Sequence, residues 1–303
     1  MARHTKAGIL TLGQHITVAS SRMILGALTG VLRMTRGFQP EGWKTVRYGT
    51  HRDETLDFLY ADPKVKKRAP VVFFHGGGWM MGTTDTYSHD LLFLAEAGHD
   101  IFNVEYPKAP EDPHPIILRA VFKALAFIRD HYPDTKAVHL VGDSAGGNLA
   151  VMAGLLIQNP ELMAPIGTAF KPRDLPKVLS VTSIYGVLDR KTCLNGSVPA
   201  GDTMLISYAG PGALAKVVDA DHAITPMDVT FTKHPPCLLA CGDADPLLAS
   251  QKIYEERLKD EGHTVMAKVY PSAIHAFLNF PESAAKANLR KDILAFLSGV
   301  ENA

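Results

Sequence analysis

Charge of one sign is missing from this chain: 31 Lys and Arg stand against 31 Asp and Glu, a formal net charge of zero. Neutralising several phosphates takes a basic surface, so nucleic acid is not an expected partner. Cysteine is scarce, with Cys193, Cys237 and Cys241 the only three. An odd, dispersed set is no disulfide framework, and a reducing, cytoplasmic compartment is the expectation. Cys237 and Cys241, four apart in an extended run, would stand roughly 13 Å from each other, too far for a disulfide, and read as packed thiols. Long hydrophobic runs are lacking as well. The best one, Met23 to Leu32, is bounded by Arg22 and Arg33 and falls short of the roughly 20 residues that a membrane-crossing helix needs. Met1 to Lys6 is basic, yet Gln14 and His15 interrupt the apolar stretch that a signal peptide requires.

What is present is an ordinary globular composition, 46% hydrophobic and 20% charged over 303 residues. That suffices for a sizeable core in one large α/β domain or two modest ones. Near the amino terminus, apolar positions alternate with Arg22, Arg33 and Arg36. The pattern predicts an amphipathic helix, with packing on the protein favoured over contact with a membrane surface.

Past residue 43 the spacing changes to short β-rich runs: Lys44–Tyr48, Thr55–Tyr60, Val71–Phe74, Ile101–Val104, Ala137–Val141, Val178–Ile184, Pro236–Cys241 and Val265–Tyr270. The first two alternate and carry charge, as antiparallel edge strands do; VVFF, VHLV and CLLAC are nearly continuous apolar runs, as strands covered on both faces are. Helical spacing recurs between them, over Tyr87–Ala97, Pro115–His131, Ala145–Gln158, Leu247–Glu261 and Glu282–Leu297. This alternation predicts an α/β fold: a mostly parallel sheet of about eight strands, helices on both faces. Residues 186–228, rich in Gly, Pro and Ala, break the rhythm, with weak helical pieces at Met204–Tyr208 and Ala213–Val218. The expected organisation is a catalytic domain over 44–185 and 229–303, roofed by an insertion at 186–228 and by an amino-terminal cap segment, 1–43.

The strongest chemical signal is Gly142-Asp143-Ser144-Ala145-Gly146-Gly147, directly after one predicted strand and before a predicted helix. A serine at such a sharp turn is exposed, its flanking glycines admit neighbouring backbone, and the helix amino terminus favours negative charge. Ser144 is the candidate nucleophile. It needs a base, and the base needs an orienting carboxylate. Asp243 and Asp245 follow one later strand and His275 follows the last. Pro246 biases Asp245 toward an extended conformation that projects into the loop, so Asp245 is read as the acid and Asp243 as a turn residue. The order Ser, Asp, His is that of the α/β-hydrolase architecture. Backbone donors for an oxyanion come from His75-Gly76-Gly77-Gly78-Trp79: the amides of Gly77 and Gly78, with that of Ala145, form a three-pronged hole. A phosphate loop fits poorly, because no Lys-Ser/Thr pair and no G-x-G-x-x-G follows.

HGGGW, Glu105-Tyr106-Pro107-Lys108-Ala109-Pro110-Glu111, GDSAGGNLA, DADPL and the IHAF histidine occur in that order. Together they resemble the hormone-sensitive lipase family of carboxylesterases (bacterial family IV) over roughly residues 65–300. The resemblance implies an α/β-hydrolase fold with a helical cap, the triad Ser144, Asp245 and His275, and oxyanion donors Gly77, Gly78 and Ala145. Two stretches depart from the family pattern: Tyr106-Pro107-Lys108 where Tyr-Arg-Leu is usual, and Leu248-Ala249-Ser250 where an Arg-Asp-Glu run is usual. The chemistry expected is ester hydrolysis through an acyl-enzyme on a small-molecule, uncharged ester of short to medium chain. Trp79, Met80 and Met81 are expected to line an apolar substrate pocket. No metal or organic cofactor is called for. The rival readings are an amidase or peptidase with the same triad, and a small-molecule receptor on the same scaffold, against which the intact triad argues. An epoxide hydrolase or dehalogenase would need a carboxylate where Ser144 stands. Ile293 to Leu297 could pair subunits, although covering the sheet is the favoured role.

Overall fold

The computed structural model describes residues 10–36, 39–164, 170–215 and 223–303. Met1 to Lys6, and positions 216–218 at the end of the second weak helical piece, lie outside the described residues. Eight strands form one sheet: β1 (Lys44–Arg47), β2 (Thr55–Leu59), β3 (Arg68–Phe74), β4 (His99–Val104), β5 (Ala137–Asp143), β6 (Lys177–Ile184), β7 (Cys237–Gly242) and β8 (Val265–Tyr270). Their order is β1-β2-β4-β3-β5-β6-β7-β8. β1 pairs antiparallel with β2 and β2 with β4, and every other pairing is parallel. The charged, alternating segments are the antiparallel end, and the continuous apolar runs are the parallel centre, as two-sided burial requires.

That burial is explicit in β3, where Val72 and Phe74 enter one core and Val71 and Phe73 the other. Side chains of α3 (Ile116–His131), α4 (Ala145–Gln158) and α7 (Leu248–Asp260) fill the first core. Those of α2 (Leu92–Glu96) and α8 (Ala284–Glu301) fill the second. Ile293, Phe296 and Leu297 of α8 are buried against the sheet, so this segment is no free subunit-pairing surface. All three cysteines are buried thiols, and burial pushes Cys193 up to about 12.

Three stretches differ from expectation. The helix expected over Tyr87–Ala97 is confined to Leu92–Glu96 and preceded by a 3-10 turn at Thr84–Thr86, because Tyr87 and Asp90 turn inward to bond other elements. The amino-terminal helix α1 is much longer than the apolar run, spanning Leu12–Arg36. It packs through Val18 while Leu12, Ile16, Met23 and Met34 stay exposed, and none of the described helices is long and apolar enough to cross a membrane. Among the described residues of the 186–228 stretch two α-helices form, α5 (Arg190–Leu194) and α6 (Gly201–Ala209), with 3-10 turns at Pro211–Leu214 and Pro226–Asp228. α5 is legible only through its cap, Asp189, which accepts from the amides of Lys191 and Thr192. A buried ion pair, Arg190 Nε to Asp228 Oδ1 at 2.8 Å, closes the stretch on itself.

Candidate active site

Every element of the site hangs from the carboxyl end of a parallel strand. β3 and β5 are neighbours, with Phe74 opposite Gly142, so the glycine loop after β3 lies beside the turn after β5. β7 and β8 are likewise paired up to Gly242 and Tyr270, which brings the loops bearing Asp245 and His275 together.

Ser144 joins β5 to α4 with φ 51° and ψ −119°, a left-handed conformation that a side-chain-bearing residue adopts only when its surroundings enforce it. Enforcement comes from packing too tight for any Cβ: one on Gly146 would lie 2.0 Å from the Phe74 carbonyl oxygen, and one on Gly142 2.2 Å from that of Gly146. The Ser144 amide donates to the Ile184 carbonyl at 2.8 Å. The serine hydroxyl is thereby presented above the sheet at the amino terminus of α4, where partial positive charge accumulates.

Nε2 of His275 lies 3.1 Å from Ser144 Oγ, and Nδ1 lies 2.9 Å from Asp245 Oδ2. Asp245 is buried, and its other oxygen accepts the Leu247 amide at 2.8 Å. Asp243 is exposed and only its backbone takes part, donating to Tyr270. Tyr185, itself at φ 40°, meets the imidazole edge-on with ring centroids 4.9 Å apart. The ring is therefore fixed in position by the acid and by an aromatic wall.

Beside the serine, Gly77, Gly78 and Trp79 all have positive φ (116°, 59° and 61°), and the amides of Met80 and Met81 both donate to the Gly77 carbonyl at 3.1 Å. A Cβ on Gly77 would sit 2.1 Å from the Met81 carbonyl oxygen, so only glycine permits this turn. Ala145 is the first residue of α4, and its amide stands outside the helix's own ladder.

The contacts of four residues escaped the sequence. Asp143 Oδ1 accepts the Gly76 amide at 2.7 Å and Oδ2 the Tyr87 hydroxyl at 3.0 Å, tying the residue before Ser144 to the residue before Gly77 and Gly78. Arg22 of α1 donates to the Met80 carbonyl at 2.9 Å and the Ala109 carbonyl at 2.8 Å, and grips Glu111 with both terminal nitrogens. The two departures from the family pattern also have partners. Lys108 donates to Glu105 and to the Tyr106 carbonyl. Burial would raise the Glu105 carboxyl, but His75 and Lys108 outweigh it and hold it at about 2. Ser250 Oγ accepts the amides of Leu188 and Asp189 at 2.9 and 2.8 Å, fastening the loop after β6 to α7.

The expected pocket residues are placed differently from one another. Trp79 is buried and stacked face to face on Tyr208 of α6, centroids 4.3 Å apart and planes 1° apart. Met80 is buried and Met81 half-buried. Both border a charged cavity of about 270 Å³ whose other walls include Arg22, Arg52, Asp53 and Lys108, and none of Ser144, Asp245 and His275 lines it.

Burial pushes the Asp143 carboxyl up to about 7, against the lowering pull of Tyr87 and Gly76. It pulls His139 and His234 down, each to about 4. Around pH 5 to 6 the signs oppose: on unfolding each histidine takes up a proton, which makes stability rise with pH, while Asp143 releases one, which makes it fall. Burial lowers His99 as well, so the uptakes outnumber the one release and stability should rise with pH across this window. Asp143→Asn mimics the neutral carboxyl and should make that slope steeper, because the opposing release is lost. Urea midpoints taken between pH 5 and 6 measure it, and an unaltered slope would mean that Asp143 is ionised in the folded protein.

Ser144 strained between strand and helix, His275 bridging it to the buried Asp245, and a left-handed glycine loop alongside stand together at the carboxyl edge of an α/β-hydrolase sheet. The family model for the α/β-hydrolase fold matches residues 71–279; the chain belongs to that family, and to its hormone-sensitive-lipase type. Carboxylesterase NlhH of Mycobacterium tuberculosis is 28% identical over 236 residues, 73% of this chain and 70% of that protein. Esterase B from Lactobacillus rhamnosis shares the fold with a TM-score of 0.82 at 20% identity, covering 96% of each chain. An esterase from Pyrobaculum calidifontis shares it at 0.74 and 22% identity, covering 94% of each.

Proposed function

We propose that the protein is a serine carboxylesterase that hydrolyses uncharged, short- to medium-chain esters through an acyl-enzyme on Ser144. The observation that carries the reading is the continuous hydrogen-bonded line from Ser144 Oγ through His275 to Asp245. The names of the relatives, a carboxylesterase and two esterases, support the class of reaction. His275 takes the serine proton as Oγ attacks the ester carbonyl, and Asp245 holds the imidazole in the tautomer whose Nε2 is free to accept. The amides of Gly77, Gly78 and Ala145 receive the oxyanion. His275 then protonates the departing alcohol, and in the second half-reaction it deprotonates the water that releases the acid. α1 and the 186–228 stretch act together as the cap, joined to the oxyanion loop through Arg22 and Tyr208.

A p-nitrophenyl ester series from acetate to palmitate tests the substrate class. The expected kcat/KM peaks between about four and eight acyl carbons; a preference for palmitate or for emulsified triglyceride would reject it. Hydrolysis of matching anilides at rates equal to the esters would favour the amidase reading.

A further inference from the structure

We propose that Met204, on α6, sets the length of the substrate chain by standing directly over the oxyanion glycine Gly78; this rests on the esterase reading above. A Cβ built on Gly78 would meet Met204 Sδ at 2.5 Å and Cγ at 3.1 Å, with Met80 Cε at 3.8 Å behind it. The thioether thus packs on the backbone whose amide is assigned to the oxyanion, 126 residues away in sequence. An ester whose carbonyl oxygen reaches that amide must send one of its two chains past this sulfur.

The height of Met204 is fixed from its own helix. One turn on, at i+4 on the same face, Tyr208 stacks on Trp79, and the Tyr208 carbonyl accepts the His114 amide at 2.6 Å. α6 therefore seats two side chains on consecutive residues of the glycine loop: Met204 on Gly78 and Tyr208 on Trp79. Tyr208 is rigid and buried, whereas Met204 is half-buried on an unbranched, flexible stem. Such a side chain yields to a short chain and obstructs a long one.

The test uses the full-length protein and two substrate series: p-nitrophenyl esters of increasing acyl length, and alkyl acetates of increasing alcohol length. Met204→Ala is expected to raise the kcat/KM ratio of the eight-carbon to the four-carbon member by about tenfold or more in one series, and Met204→Phe to lower it. Which series responds tells which chain passes the sulfur. Ratios within about twofold of the parent in both series, for a variant that still hydrolyses the four-carbon ester, would overturn the assignment. Should Met204→Ala not fold, Met204→Phe alone carries the test with the same criterion. A parent protein that cleaves no ester of either series would instead defeat the esterase reading, and this inference with it.

Discussion

Replacing Ser144 by alanine is expected to lower kcat by roughly 10⁵- to 10⁶-fold, with the fold retained. Only the hydroxyl is removed: alanine keeps the Cβ that already occupies the strained φ of 51°, and the amide bond to the Ile184 carbonyl is untouched. Since serine and histidine act as one unit, adding His275→Ala to Ser144→Ala should cost almost nothing more. Steady-state hydrolysis of p-nitrophenyl butyrate, with thermal melts of each variant, makes the comparison. A Ser144→Ala protein retaining a tenth of the parent rate would move the chemistry elsewhere.

The second large effect belongs to Asp245. Its Oδ2 accepts from His275 Nδ1 at 2.9 Å, and its Oδ1 is held by the Leu247 amide. An asparagine would fit the same space, but an amide nitrogen turned toward Nδ1 selects the tautomer whose Nε2 carries the proton. That imidazole cannot accept from Ser144. Asp245→Asn should therefore lower kcat by about 10⁴-fold while KM stays within a few-fold. A change in KM alone would assign Asp245 to substrate binding. Asp243→Asn, at an exposed position, should leave both parameters near the parent values.

The parallel sheet was legible because two-sided burial leaves unbroken apolar runs such as VVFF and CLLAC, and the candidate site residues because each lies within a few residues of the carboxyl end of a predicted strand. Contacts between a side chain and distant backbone have no such signature. Asp143 reaches the Gly76 amide and Arg22 the Met80 carbonyl, and backbone partners are the same at every position, so no residue pattern announces them. Helix α1 was underestimated because its apolar residues do not form a single buried stripe: Leu12, Ile16, Met23 and Met34 face outward. The loss of the expected helix at Tyr87 has the opposite cause, inward-facing polar groups that local spacing registers as ordinary surface. Trp79 was read as a pocket wall from its place beside the oxyanion glycines. Its partner, Tyr208, lies in a segment whose weak helical spacing says nothing about which face it turns down.

The most direct measurement is labelling with a p-nitrophenyl alkylphosphonate, followed by peptide mass spectrometry of parent, Ser144→Ala and His275→Ala proteins. A single adduct on Ser144, absent from the first variant and formed at a small fraction of the parent rate in the second, is the predicted result. An adduct on another residue, or an ester-hydrolysing protein that takes up no label, would contradict a nucleophile at Ser144 activated by His275.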